Sequence, residues 1–374
     1  MDHLSTNDAT RNPAILTSVS SDHLAGWRPG RRCPIRAKLC LAISCLLLAT
    51  IGSCTANQNS RVLGVPVSHR TADPAESTLP PTSFTISPNS QTRQWLKTHP
   101  NDPRTPKLTA VLGNHPDSEW ITGGSRGLPN LIDMMNASRA TNTMPVVVLY
   151  NIPGRDDGIS GPDYGVTAAN YRAWIDGVAA IIGNSPVLAI VEPDALWFID
   201  RQFATNRAGF DERIDLLRYA IDRLSRNPAA HVYLEAGTTS GSVTPDRMAD
   251  LLRKASPSSG IGFAVNVSSF APTVPITAYA QRVRTRLIGL GVQNPRYVVD
   301  VSRNGNPVWD NNAWCNPPGR KIGPYPTPRP QPSAPGLDAN LWVRAPGTSD
   351  GPCGVGPGST GGDLLPSVAY AMIS

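Results

Sequence analysis

Seven short apolar runs, most of them ending in a polar or aromatic residue, constrain this chain more than any other feature. They are "SEWITGG" (118–124, the weakest), "MPVVVLYN" (144–151), "SPVLAIVEPD" (185–194), "HVYLEAG" (231–237), "GFAVNVS" (262–268), "RYVVDVSRNG" (296–305) and "ANLWVRAPG" (339–347). Continuous apolar runs of this length suit strands buried on both faces, as in a parallel sheet. Between them lie helical stripes: Tyr171, Trp174, Ile175, Val178 and Ile182; then Ile214, Leu217, Ile221 and Leu224; then Tyr279, Val283, Leu287 and Leu290. The spacing i, i+3, i+4, i+7 predicts amphipathic helices. Strand–helix alternation of this kind means an α/β barrel or a doubly wound sheet. No G-x-G-x-x-G follows the first strands, so a dinucleotide fold has no support. The runs end at Trp120, Tyr150, Asp194, Glu235, Asn266, Asp300 and Arg344. A barrel gathers its C-terminal strand ends on one face, where such side chains can act together.

The 374 residues include 37 prolines and 32 glycines, which predict long rigid loops. Net charge is +6, but positions 1–54 hold six of the 34 basic and three of the 28 acidic residues, which leaves 28 against 25. That mixed remainder has no basic run, so a nucleic-acid partner is not expected. Residues 1–56 read as an export signal: Arg31, Arg32, Arg36 and Lys38 precede an apolar run from Leu39 to Ile51, too short to span a bilayer as a helix. Two processing readings stand. "Ile51-Gly52-Ser53-Cys54" resembles a lipobox with Cys54 as the lipidated residue, and "Cys54-Thr55-Ala56" offers small residues for ordinary cleavage. The protein is therefore expected outside the cell or attached to its surface, touching membrane only through signal or lipid. Residues 57–83 are rich in Ser, Thr, Pro and Ala and read as a tether to a folded part at 84–374.

Four of the six cysteines lie in or beside the signal, and the folded part keeps Cys315 and Cys353. One pair in an exported protein is most simply a disulfide. No His or Cys falls at ligand spacing nearby, so neither a metal nor a cofactor is expected. Histidine is scarce, and no Ser-His-Asp arrangement or G-x-S-x-G elbow is visible. Carboxylates dominate instead: Asp156, Asp194, Glu235, Asp300 and Asp350. Several carboxylates and a Trp at a barrel mouth suggest glycoside hydrolysis, which needs an acid for the leaving oxygen and a second carboxylate on the opposite side.

"YNIPGRDDG" followed by "IVEPDALW" resembles glycoside hydrolase family 6, the inverting cellulases, and five further stretches agree in order: "FTISPNS…NDPRTP", "VYLEAG", "FAVNVSSF", "VVDVSRNGNP…WCNPPGRKIG" and "LWVRAPGTSDG". The resemblance implies a distorted barrel of seven parallel β-strands with α-helices, acting on a β-glucan as a monomer. It implies that Asp194 is the general acid, Asp156 the aspartate that modulates it, and Asp350 the candidate base. Tyr150 would crowd the sugar at the cleavage point. Trp120, Glu235, Asn266, Trp314 and Arg344 would contact substrate. Asp300 reads as a structural carboxylate bonded to its own loop, and Trp314 has packing on the disulfide as a rival role.

Several positions depart from the family pattern. R-D-C is here Arg155-Asp156-Asp157, and the partner cysteine falls at about Gln202, so one crosslink is absent. D-A-G-H-S-x-W becomes Glu235 to Gly241, with Thr238 for the His and Gly241 for the Trp; P-G-E-x-D-G has Thr348 for the Glu, and the family lysine is Arg344. Two expectations follow. The first is an exported β-1,4-glucanase, either weak or of altered specificity. The second is a carbohydrate-binding cell-surface protein on the same scaffold.

Overall fold

The computed structural model describes residues 77–155, 166–241, 243–256, 262–309 and 313–374. The expected export signal with Cys54, most of the tether, and both Asp156 and Asp157 lie outside the described residues. Seven strands form one sheet in the order β1 to β7: Glu119–Thr122, Val146–Tyr150, Val187–Val191, Ala230–Glu235, Gly262–Val265, Arg296–Asp300 and Leu337–Leu341. Every neighbouring pair is parallel. Each of the seven apolar runs overlaps a strand.

Successive residues of a strand point to opposite faces, and here both faces are covered. Val148, Ile190 and Tyr233 lie in register on β2, β3 and β4 and share the interior cluster with Val298, Ala339 and Leu341. Val147, Leu149, Ala189, Val191, Leu234 and Phe263 point outward into the core beneath the helices. This double burial is why the runs are continuous rather than alternating.

Helices α1 (Gln91–Thr98) and α2 (Thr105–Leu108) precede the sheet. The crossovers carry α3 (Gly127–Thr141), α4 (Ala168–Ile182), α5 (Ile199–Gln202) with α6 (Arg207–Leu224), α7 (Pro245–Ala255) and α8 (Thr273–Gly289). Thr167, Asn206 and Thr244 cap α4, α6 and α7 by accepting from the amides of Asn170, Gly209 and Arg247. The predicted stripes are buried, except that Trp174 is half-buried and Leu290 lies beyond the end of α8. The β6–β7 crossover has no helix among its described residues, and α9 (Pro366–Met372) follows β7.

The sheet curls until its edges meet. Ser118 N donates to Trp342 O at 3.0 Å, and the Trp120 indole Nε1 donates to Val343 O at 2.9 Å. The far end of the interior is stoppered by residues that the sequence reading places in the tether. Leu79 is 2% exposed and Phe84 is buried beside it. Thr78 donates from N and Oγ1 to Asp338 Oδ1 at 2.8 and 3.0 Å, while Tyr233 and Arg296 hold the same carboxylate. Residues 77–83 therefore belong to the folded unit. Strand β7 is also displaced from the predicted 339–347: it ends at Leu341, because the amides of Val343 and Arg344 turn to Asp300 instead of a ladder.

Candidate active site

The C-terminal ends of the seven strands are tied to one another in a ring, each neighbouring pair through named side chains. After β2 and β3, the buried Glu192 carboxylate accepts from Asn151 N and Ile152 N, at 2.9 and 3.0 Å to Oε2. Between β3 and β4, Asp194 N donates to Glu235 Oε2 at 3.0 Å. Between β4 and β5, Asn266 N donates to Gly237 O at 2.8 Å and Thr238 Oγ1 donates to Asn266 Oδ1 at 3.1 Å. Asp300 joins the loops after β5, β6 and β7 by accepting from Ser268, Ser302, Val343 and Arg344 amides. The Trp120 indole bond to Val343 O completes the circle, and Trp120 meets Tyr150 edge-on at 5.5 Å.

This wiring demands unusual backbone. Glu192, Asp194, Asn266 and Ser268 all have positive φ, which costs about 1–3 kcal/mol per residue and survives only where surroundings impose it. The bends redirect the chain away from the ladder and let the backbone amide of Asp194 reach Glu235.

Two carboxyls thus stand together over β3 and β4. Glu235 is 3% exposed, and burial followed by the Asp194 charge pushes its carboxyl up. It accepts from Asp194 N and Gly237 N, and the Tyr279 hydroxyl donates to the neighbouring Ala236 O. Asp194 itself is half-buried.

Across the ring, Asp350 is held by charge. Arg303 Nη1 lies 2.9 and 3.0 Å from its two oxygens, Asn316 N donates to Oδ2 at 3.0 Å, and Arg344 Nη2 is 4.0 Å away. Arg303 also donates to Ser268 O, and its guanidinium lies 4.1 Å from the Phe270 ring. Asn316 follows Cys315, whose disulfide to Cys353 closes the loop under Asp350. The Arg344 guanidinium sits 5.8 Å from the Trp120 ring. Trp120, Tyr150, Arg344 and Asp350 therefore form one contiguous group.

Other expected site residues are placed differently. Asn266 is fully buried and its amide is consumed by Ala271, Asp300 and Thr238. It shapes the loop, with both side-chain polar atoms engaged by these partners. Asp300 is likewise buried in backbone amides, as the sequence reading expects. Trp314 is 58% exposed. Gly241 has φ +94°, and a Cβ there would lie 2.2 Å from the Trp197 ring. Trp197, three residues after Asp194, fills the space beside Gly237 and Gly241. Sequence reasoning missed it, although "VEPDALW" displays it. It missed Glu192 and Arg303 as well, since a buried charge pairing across loops leaves no local pattern. Among the described residues no group of three or more His, Cys, Asp or Glu is arranged to hold a metal.

The family model for glycosyl hydrolases family 6 matches residues 81–360. Endoglucanase 1 of Streptomyces halstedii is 34% identical over 315 residues, covering 83% of this chain and 95% of that protein. Endoglucanase A of Thermobispora bispora is 34% identical over 299 residues, covering 77% of this chain and 61% of that protein. Among solved structures, the endoglucanase Cel6 of Mycobacterium tuberculosis, in complex with methyl-cellobiosyl-4-deoxy-4-thio-β-D-cellobioside, superposes with a TM-score of 0.67 at 34% identity, covering 78% of this chain and 96% of that one.

Proposed function

This chain belongs to family 6 of the glycosyl hydrolases, and from that membership we propose that it is an exported β-1,4-glucanase that cleaves cellulose or a related β-glucan with inversion. The observation that carries the reading is the placement of Asp194 and Asp350 on the same rim, in unlike surroundings. Asp194 shares its surroundings with a second, buried carboxyl, Glu235, and only one side of that unit reaches solvent. Asp350 is fixed in an ion pair with Arg303 and lies beside Arg344. Asymmetry of this kind suits two carboxyls to different roles in one reaction.

In the proposed reaction Asp194 gives its proton to the glycosidic oxygen as the bond to the leaving sugar breaks. A water attacks the anomeric carbon from the opposite face and loses its proton toward Asp350. Asp156, two residues beyond Gly154, modulates the acid. Tyr150, wedged between the Trp120 edge and the Arg155 guanidinium 4.5 Å from its ring, crowds the sugar at the cut. Trp120 and Arg344 supply an apolar face and a donor for the ring and its hydroxyls. The exposed Trp314 offers a further face. Glu235, one methylene longer than the family's aspartate, reaches the Asp194 amide, and its role is to hold that residue.

The thinned groove around Thr238, Gly241 and Thr348 supports a modest turnover. Purified protein on a soluble cellulose derivative should release reducing ends, and Asp194→Ala should abolish most of that release. Binding of the polymer by the wild type without any release would favour the carbohydrate-binding reading instead.

A further inference from the structure

We infer that Arg213 and Gln202 form a non-covalent brace that holds the segment leading into Asp156 against the segment carrying Asp194, and so act as positioning residues; the inference rests on the glucanase reading for its catalytic consequence. The two segments leave the tops of β2 and β3. The first runs Asn151-Ile152-Pro153-Gly154-Arg155, and the second runs Glu192-Pro193-Asp194-Ala195.

Arg213 projects from α6 and is 2% exposed. One terminal nitrogen donates to Ala195 O at 3.2 Å; the other donates to Pro153 O at 2.7 Å and Gly154 O at 3.1 Å. A single guanidinium thus bonds both segments at once, which its rigid fork of donors permits. Its charge also opposes that of the buried Glu192, which binds the Asn151 and Ile152 amides from below. At the end of α5, Gln202 Nε2 donates to the same Gly154 O at 2.7 Å. Gly154 has φ +58° and presents its carbonyl to both donors.

Gln202 stands at about the place where the family pattern puts the second cysteine of a crosslink to this loop. Here neither cysteine exists, and hydrogen bonds from α5 and α6 span the same two segments. The brace needs no oxidation, so reductant should not loosen this loop.

The test compares wild type, Gln202→Ala, Gln202→Lys (which keeps a donor) and Arg213→Lys (which keeps the charge opposite Glu192 but loses the fork). Amide hydrogen exchange is read on the peptide covering 151–155, with α8 as an internal control. Gln202→Ala should speed exchange in that peptide about fivefold, the population change that one net hydrogen bond supplies, and leave α8 unchanged. Gln202→Lys should restore protection, and Arg213→Lys should exceed Gln202→Ala. In turnover, Gln202→Ala should lower kcat about tenfold while KM holds within about twofold, since loss of alignment harms the transition state more than ground-state binding. Its alkaline limb should move to lower pH, because the acid loses the modulation proposed above for Asp156. Unchanged exchange at 151–155 in both Gln202→Ala and Arg213→Lys overturns the brace outright. Faster exchange with unaltered kcat and pH profile overturns its positioning role. A wild type that releases no reducing ends refutes the glucanase reading and, with it, the positioning role, while exchange still decides the brace.

Discussion

Replacing Asp300 by Asn separates a carboxylate that builds the rim from those proposed to react on it. Oδ1 of Asp300 accepts from Ser302 N at 2.9 Å and Val343 N at 3.2 Å, and Oδ2 accepts from Ser268 N at 3.0 Å and Arg344 N at 3.3 Å. An asparagine keeps the shape but offers one acceptor oxygen. Whichever way it turns, its NH2 group faces two backbone N–H donors. Two bonds to a charged acceptor disappear, each worth about 1.5–3 kcal/mol net, and two donors stay buried. Against this, burial already pushes the Asp300 carboxyl up, so removing its charge returns part of the desolvation cost. The balance is a loss of about 2–4 kcal/mol, a large share of a domain stability near 5–15 kcal/mol. At roughly 2–4 °C per kcal/mol, the melting temperature should drop by about 5–15 °C. Calorimetry and urea unfolding measure this; the midpoint should fall with the slope unchanged. Well below its melting point the variant should keep far more activity than Asp194→Ala. An unaltered melting temperature with a loss of activity of about 10²-fold or more would refute the reasoning and make Asp300 a reacting group.

Asp194→Ala should lower activity on unactivated β-glucans by about 10²–10⁴-fold and much less on substrates with a good leaving group, in parallel kinetic assays of both. Gly241→Trp should destabilise by at least ~2 kcal/mol in thermal melts and yield no gain on long chains, since φ is +94° and Trp197 occupies the space. Burial raises Glu119 and Glu192 to about 7 and Asp117 to about 6, and raises Glu235 and Asp300 too. Each binds its proton more tightly folded than unfolded, so the stability they give is full below pH ~4, and for Asp117, Glu119 and Glu192 it is lost as pH climbs through 6 and 7. His231, held low by burial, opposes them as one group against those three. Hydrogen bonds from Arg104, from Tyr219 and Arg223, and from Arg247 lower Asp102, Asp176 and Asp200, which therefore matter only in more acid solution. The melting temperature should fall from pH 5 to pH 8, and Glu119→Gln should flatten that slope. Reducing Cys315–Cys353, a pair 38 residues apart, should cost up to about 4 kcal/mol in denaturant unfolding and lower turnover by loosening Asn316 against Asp350.

The strands were legible because burial on both faces writes itself as unbroken apolar runs, and the helices because each buries a single stripe. The rim was partly legible. Tyr150, Glu235 and Asp300 close their strands and Asp194 follows a proline, so their placement needed only strand ends. What those residues touch was not legible. Asp300 reads as structural from its own loop, whereas Asn266, at the end of the neighbouring strand, reads as a substrate contact, and only the tertiary structure reveals that its side chain is taken up by Ala271, Asp300 and Thr238. Leu79 sits in a Ser/Thr/Pro-rich stretch with no periodicity, yet it fills the barrel floor. Arg213 lies one turn before Leu217 at the margin of its helix's buried stripe, but nothing in that spacing names its partners on a turn of chain 60 residues away. Partners of that kind are set by the fold and have no signature in local spacing.

The most direct test of the account is the anomeric form of the product at first release. The wild-type protein is given a cellooligosaccharide, and proton NMR follows the new reducing end before mutarotation blurs it. Attack by water opposite the departing sugar, with Asp194 and Asp350 on the two sides, predicts the α-anomer first, with the β-anomer appearing only at the rate of mutarotation. The β-anomer first would mean a covalent intermediate and contradict the assignment of Asp350 to the water side; no product at all would contradict hydrolysis.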